Sequence, residues 1–262
     1  MKEFDDLVQI FETLRAPGGC PWDARQDHRS ISRCIIEEAH ELYDAIDRED
    51  ADQMREELGD VLLQVIFHSI IARDQGEFTL TDVISGLADK LVSRHPHVFG
   101  SARADTPEEV KRNWELLKKK EKGKAQRESI LDGIPPSLPS LVAARKIQSV
   151  VSRVGFDWQN AGEVVDKLEE ETRELAEALS AGDAAAVQGE IGDLLFTVVN
   201  LARLSGVDPE AALRRTNRKF TRRFHAIEKE ARRRKVSLED MTLQEMDALW
   251  ERAKGELEEG SP

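Results

Sequence analysis

The fold this sequence predicts is all-α, built as two similar helical modules, and three observations carry that prediction. Apolar residues recur three and four positions apart along most of the chain, as in Leu58, Val61, Leu62, Val65 and Ile66, which line one face of a helix. Helix start signals agree: Thr106-Pro107-Glu108 and Asp208-Pro209-Glu210 each supply a capping oxygen, a proline at the first helical position and a carboxylate near the positive helix end. The segments on either side of a proline-containing break also match one another.

Each element follows in order. The opening MKEFDDLVQIFETLR is acidic and amphipathic, unlike a signal peptide with its basic region and apolar core. A helix carrying Glu37, Glu38 and Glu41 comes next. The apolar run Val61 to Ile71 would by itself suit a buried strand, but it continues an unbroken helical pattern that begins near Asp52 and is too long for a strand. Gly76 reads as a stop, and His95 and His97, flanking Pro96, mark another helix end. The stretch GKAQRESILDGIPPSLPS gathers Pro135, Pro136 and Pro139, which remove backbone donors and prevent helix continuation. The expected organisation is therefore a first module over 1–122, a linker over 123–137 and a second module over 138–262. In the second module Gly182 is a stop and Asp208 a start.

Composition narrows the function classes. With 262 residues, 34% charged and 40% hydrophobic, the chain can bury a core in each half beneath an ionised surface. Its formal net charge of -13 repels a nucleic-acid duplex rather than releasing its counterions. No apolar stretch approaches the roughly 18 residues of a membrane span, so no membrane partner is expected. Two cysteines, Cys20 and Cys34, form no C-x-x-C pair, which suits a reducing compartment and makes the cytoplasm the expected location.

Internal repetition shows which chemistry both halves keep. Glu37-Glu38-x-x-Glu41 aligns with Glu170-Glu171-x-x-Glu174, and Glu57-x-x-Asp60 with Glu190-x-x-Asp193, both at an offset of 133. Lys90 and Arg94 match Lys219 and Arg223 at an offset of 129, while Trp22 matches Trp158 and Trp114 matches Trp250 at 136. What persists is charged and aromatic.

On a helix, positions i, i+1 and i+4 lie at 0, about 100 and about 40 degrees, so each E-E-x-x-E presents its acids on one side. Each E-x-x-D puts its two acids within about 60 degrees of one another on the next helix. Short-linked helices pack antiparallel, so five carboxylates are expected to converge in each module. Like charges so placed repel and raise one another's pKa, which a hard cation relieves. An oxygen-only donor set without a repeated histidine or cysteine favours Mg2+ or Mn2+. Gly59 and Gly192, inside the two E-x-x-D motifs, are expected to permit close helix approach.

A carboxylate-held magnesium commonly meets phosphate, which also needs cations from the protein. Lys219 and Arg223, spaced i, i+4, share a helix face and can serve as point charge and bidentate fork; Lys90 and Arg94 repeat the pair. Trp250 suits either stacking on a base or core packing. Neither a Walker cradle nor a dinucleotide fingerprint occurs, so a nucleotide is expected to be held through metal.

The segments GCPWD at Gly19 to Asp23, RHPHVFG at Arg94 to Gly100, KIQ at Lys146 to Gln148, VGFDW at Val154 to Trp158, EIGDLLF at Glu190 to Phe196 and NRKFTRRF at Asn217 to Phe224 resemble the MazG family of nucleoside triphosphate pyrophosphohydrolases. The similarity spans nearly the whole chain. It implies a tandem duplication of four-helix-type modules, a homodimer, and magnesium-dependent conversion of ribo- or deoxynucleoside triphosphates to monophosphates plus pyrophosphate. Carried over by motif, Glu170, Glu171, Glu174, Glu190 and Asp193 are metal ligands, with Glu171, Glu174, Glu190 and Asp193 as the catalytic group. Lys167, Lys219, Arg223 and Trp250 match nucleotide-contacting positions. A second site would use Glu37, Glu38, Glu41, Glu57 and Asp60 with Lys90, Arg94 and Trp114, although Cys34 stands where Lys167 does in the other copy. The resemblance therefore points to the second module as main catalyst, broad in base specificity and acting in nucleotide-pool control. The rival expectation is an acidic helical adaptor for a basic protein, which would turn nothing over.

Overall fold

Aspartate side chains open both of the helices that carry the E-x-x-D motifs. Asp50 accepts from the backbone N–H of Gln53, and Asp183 from those of Ala185 and Ala186, each satisfying donors that the first helical turn leaves free. The computed structural model describes residues 2–119 and 128–258, and the described residues are helices joined by turns and short 3-10 segments. The chain divides into two units, Met1–Ala125 and Gln126–Pro262. Residues 123–127 of the expected linker lie outside the described residues, as do 120–122 and 259–262 of the expected modules; 128–137 runs as turns and bends.

The first unit contains α1 (Lys2–Arg15), α2 (Cys34–Asp47), α3 (Ala51–Asp74), α4 (Leu80–Arg94), the one-turn α5 (Pro96–Phe99) and α6 (Pro107–Lys119). The apolar run from Val61 to Ile71 is part of α3, as the unbroken periodicity requires. Helix α3 is the axis of this unit and packs against α1, α2 and α4. Phe11 from α1, Ile31 from the loop before α2, and Ile66, Phe67, Ile70 and Ile71 from α3 form its core. Thr79 and Asp82 form a reciprocal capping box at the start of α4, and His95 ends that helix ahead of Pro96.

The second unit repeats the order with α7 (Ser140–Val151), α8 (Ala161–Ala181), α9 (Ala184–Leu204), α10 (Pro209–Arg234) and α11 (Leu243–Glu258). Asn160 caps α8, whose C-cap Gly182 adopts φ 69°, a left-handed conformation that costs glycine nothing and turns the chain directly into α9. Asp208 caps α10 by accepting from Ala211. Helices α8 and α9 form an antiparallel pair, α7 lies against α9 and α10, and α10 pairs with α11. Ile227, Ala231, Met241 and Leu249 make the core of the last pair, with Phe224 and Trp250 against it.

Among the described residues no helix is long and apolar enough to cross a membrane.

Candidate metal centre

The short turn between α8 and α9 brings the first acidic motif of the second unit against the second. One carboxylate oxygen from each of Glu171, Glu174 and Glu190 lies within 4.8 Å of the others. Glu171 is buried, with 5% exposure, while Glu190 is half-buried and Glu174 faces solvent. Burial raises the Glu190 pKa first, and the charges of Glu174, Glu171 and Asp193 raise it further. Repulsion among these acids is thus a property of the folded site.

Lys167, one turn before the acids on α8, partly offsets that repulsion. Its Nζ lies 2.7 Å from Glu170 Oε1 and 2.7 Å from Glu171 Oε1. Hydrogen bonds to these two carboxylates raise the lysine's pKa, and the one from Lys167 holds Glu170 below the usual carboxylate range.

The first unit repeats the cluster without the lysine. Carboxylate oxygens of Glu38, Glu41 and Glu57 meet within the same 4.8 Å, and Glu57 is 7% exposed. Cys34 occupies the position of Lys167. Burial, then Asp60, Glu41 and Glu37, raises the pKa of Glu38; burial, then Glu41, Asp60, Glu56 and Glu38, raises that of Glu57.

Each module therefore gathers three carboxylates closely rather than five. Glu170 turns to Lys167, and Asp193 stands exposed beside the triad, contributing charge to Glu190. Glu37 is exposed, and Asp60 acts on Glu38 and Glu57 through its charge. The oxygen-only donor set, its spacing and the raised pKa values fit a hard divalent cation. The reason expected for Gly59 and Gly192 is overturned: a Cβ built on either meets no atom within 4 Å among the described residues, so neither glycine admits a neighbouring helix within its own unit.

The cationic and aromatic residues lie on the following helices. Lys219 is exposed on α10, whereas Arg223 is buried, its guanidinium 5.4 Å from the centroid of the Trp250 ring. Trp250 is half-buried, with the Phe220 ring 4.9 Å away, so its ring is part of the contact between α10 and α11. In the first unit Lys90 is exposed, and Arg94 sits 5.0 Å over Trp114. The arginine-on-tryptophan pair is thus duplicated along with the acids, a pairing that the unequal offsets of 129 and 136 obscure in the sequence. Sequence reasoning also missed His28 and His68, whose Nδ1 atoms are 2.7 Å apart with parallel rings; forty residues separate them, and no periodic pattern links them.

A family model described as the MazG nucleotide pyrophosphohydrolase domain matches residues 26–99 and 159–227, one copy in each unit. The nucleoside triphosphate pyrophosphohydrolase/pyrophosphatase MazG of Thermotoga maritima is 48% identical over 96% of both chains. The nucleoside triphosphate pyrophosphohydrolase of Escherichia coli is 43% identical over 97% of this chain and 98% of its own. An uncharacterised Bacillus subtilis protein, YabN, is 46% identical over 96% of this chain, which spans 52% of it.

Proposed function

The chain belongs to the MazG nucleotide pyrophosphohydrolase family, and from that premise we propose that it hydrolyses nucleoside triphosphates to monophosphates and pyrophosphate, principally in its second module. The observation that carries this reading is the meeting of Glu171, Glu174 and Glu190 on two helices, beside a lysine already bound to one of them. With Glu170 and Asp193 these residues would hold Mg2+, for which Mn2+ can substitute. A divalent ion bound there offsets phosphate charge and acidifies water.

The chain's own groups do the rest. Glu190, brought by α9 against Glu171 and Glu174, is the candidate to accept a proton from the water that attacks the α phosphorus. Glu171 and Glu174 fix the position of the charged centre. Lys167 can exchange a carboxylate partner for a phosphate oxygen, and Lys219 and Arg223 offset negative charge on departing pyrophosphate. The Trp250 ring holds Arg223 in orientation and offers a surface that tolerates any base, in keeping with broad specificity and a role in nucleotide-pool control.

Cys34 in place of the lysine supports assigning the main turnover to the second module; Glu37, Glu38, Glu41, Glu57 and Asp60, with Lys90, Arg94 and Trp114, form the second metal and nucleotide site. Exposed apolar residues on the hairpin helices, among them Leu58, Ile191, Leu195 and Val198, support a homodimer in which a second copy covers them. The free thiols Cys20 and Cys34 suit the cytoplasm.

The test is incubation with a panel of ribo- and deoxynucleoside triphosphates and magnesium, followed by separation of products. Monophosphate and pyrophosphate in equal amounts are expected. Diphosphate plus phosphate would move the scissile bond, and the absence of any product would favour an acidic adaptor.

A further inference from the structure

Helix α10 carries eight arginines and two lysines against three glutamates, in a protein whose formal net charge is -13. In so acidic a chain an exposed cation should readily find a carboxylate. On α10 several do not: among the described residues Arg215, Lys219, Arg222, Lys229 and Arg232 are exposed and make no ion pair. Two of the helix's own glutamates are engaged elsewhere, Glu210 by Arg214 and Glu230 by Arg233 and Arg234. Glu228 lies about 140 degrees round the helix from Arg215.

Three of these cations form a line. Arg215, Arg222 and Lys229 recur every seven residues, so each sits only about 20 degrees round the helix from the one before and about 10 Å further along it. The buried side of α10, with Arg223, Ile227 and Ala231, lies roughly 80 to 180 degrees away from them. Lys219 stands four residues after Arg215 and three before Arg222, and Arg232 three after Lys229, separations at which like charges on a helix repel. The isolated chain gains nothing from that repulsion. Nor is the line part of the chemistry that both modules keep. At the offset of 129 that aligns Lys219 and Arg223 with Lys90 and Arg94, its members correspond to Gly86, Ser93 and Gly100.

We propose that this face of α10 docks on the phosphate backbone of a double-stranded nucleic acid, a contact separate from the turnover of free nucleotides. A duplex carries one negative charge per about 1.7 Å of its axis, so a rigid line of cations about 21 Å long meets phosphates along its whole length. Most of the α10 cations are arginine, whose planar fork matches phosphate oxygens bidentately. The exposed Phe220 lies about 140 degrees round from Arg215, so no aromatic ring beside the line offers the stacking surface that a single strand uses. A lipid surface is the poorer partner, because the apolar side of α10 is already packed in the core with Met241 and Leu249. The net charge of -13 opposes a polyanion only where that charge is spread evenly. Screening at physiological ionic strength limits each charge to a reach of about 8 Å, and within that reach the line is positive.

The experiment follows the fluorescence anisotropy of labelled RNA and DNA duplexes of about 20 base pairs, and of one single strand, as full-length protein is added in chelator. Chelator keeps metal out of the acidic clusters. At least one duplex is expected to bind, the stronger naming the nucleic acid, with affinity falling about 40- to 150-fold between roughly 50 and 200 mM salt. Combining Arg215→Gln, Arg222→Gln and Lys229→Gln is expected to weaken binding at least about tenfold at the lower salt and to flatten the salt slope by about one per residue. Combining Arg25→Gln, Arg29→Gln and Arg33→Gln removes the same charge from exposed residues of the first unit and is expected to leave binding near that of the parent. Both variants are checked for fold by circular dichroism and melting. The proposal is overturned if no duplex binds, if the two variants weaken binding equally, or if the single strand binds more tightly than either duplex. Tighter binding to polyglutamate or to phosphatidylserine vesicles than to a duplex overturns it as well. Triphosphate turnover by the α10 variant is expected to be unchanged; its loss in a folded protein would put the line in the catalytic machinery and end its separate role. Absence of turnover in the parent would sink the proposed function and leave the duplex contact standing.

Discussion

Lys167 Nζ lies 2.7 Å from Glu171 Oε1, so the lysine that the family resemblance assigns to the nucleotide is bound, in this structure, to the most buried carboxylate of the acidic cluster. The amine already gives the cluster one positive charge. Entry of a divalent ion competes with it for Glu171.

Replacing Lys167 by Met is therefore expected to act in opposite directions on two measurements. Affinity for Mn2+ in the absence of nucleotide, read by calorimetry, rises by at least about two- to fivefold, which is the scale of an exposed ion pair and a lower bound for this partly buried one. KM for triphosphate rises, because the same side chain is lost to the phosphates. A fall in both would contradict the competition.

Glu171→Gln is expected to lower turnover by at least about 100-fold at saturating magnesium, since even residues that merely orient metal ligands cost 10- to 100-fold. Helical circular dichroism should be unchanged. Glu38→Gln, at the matching position of the first module, is expected to leave most turnover intact. Equal loss in both variants would show that the two sites work as one.

The raised pKa values of Glu38, Glu57 and Glu190 predict how stability depends on pH without metal. Burial and neighbouring acids make these groups keep protons in the folded state to higher pH than in the unfolded chain. Between the ordinary carboxylate pKa and the raised values the native state binds more protons, so stability falls as pH rises through that window. Thermal melts in chelator should show the decline, and added Mg2+ should abolish it. Metal binding within the window should also release protons, detectable by calorimetry in buffers of different ionisation enthalpy.

Gly192→Ala and Gly59→Ala are each expected to stabilise the isolated chain by about 0.5–1 kcal/mol, because both glycines lie inside helices with open space where a Cβ would stand. Melting at concentrations low enough to exclude self-association checks this. Destabilisation there would mean that a neighbour within the chain occupies the space.

Trp250→Ala should loosen the pairing of α10 with α11, losing about 2–4 kcal/mol as the half-buried ring leaves its contacts with the core cluster. Trp250→Phe keeps much of that packing but weakens the cation–π contact with Arg223. It should therefore raise KM more than it lowers the melting temperature.

Much of this architecture could be read from residue order. Helical periodicity placed α3 as one long helix despite its strand-like apolar run, and Asp208 and Thr106 start helices as their sequence contexts require. The placement of acids on facing helices followed from i, i+1, i+4 spacing together with the short turn that pairs the two helices. Rotamer choice did not. Sequence spacing allows five acids to point inward, but Glu170 pairs with Lys167, and its counterpart Glu37 is exposed outside its own triad although Cys34 stands in the lysine's place. The roles of Gly59 and Gly192 were misjudged because a helical glycine looks the same in sequence whether it faces a neighbour or open space.

Asp50 and Asp183 each stand seven residues before the glutamate that α3 or α9 contributes to its cluster. The cap fixes where the helix begins, so those seven residues act as a ruler that sets both the height and the rotation of Glu57 and Glu190. An extra residue in the turn ahead of the cap leaves the ruler untouched. One added after it swings the acid by about 100 degrees and out of reach of its companions. Over evolutionary time, length changes are therefore tolerable on one side of each aspartate and ruinous on the other.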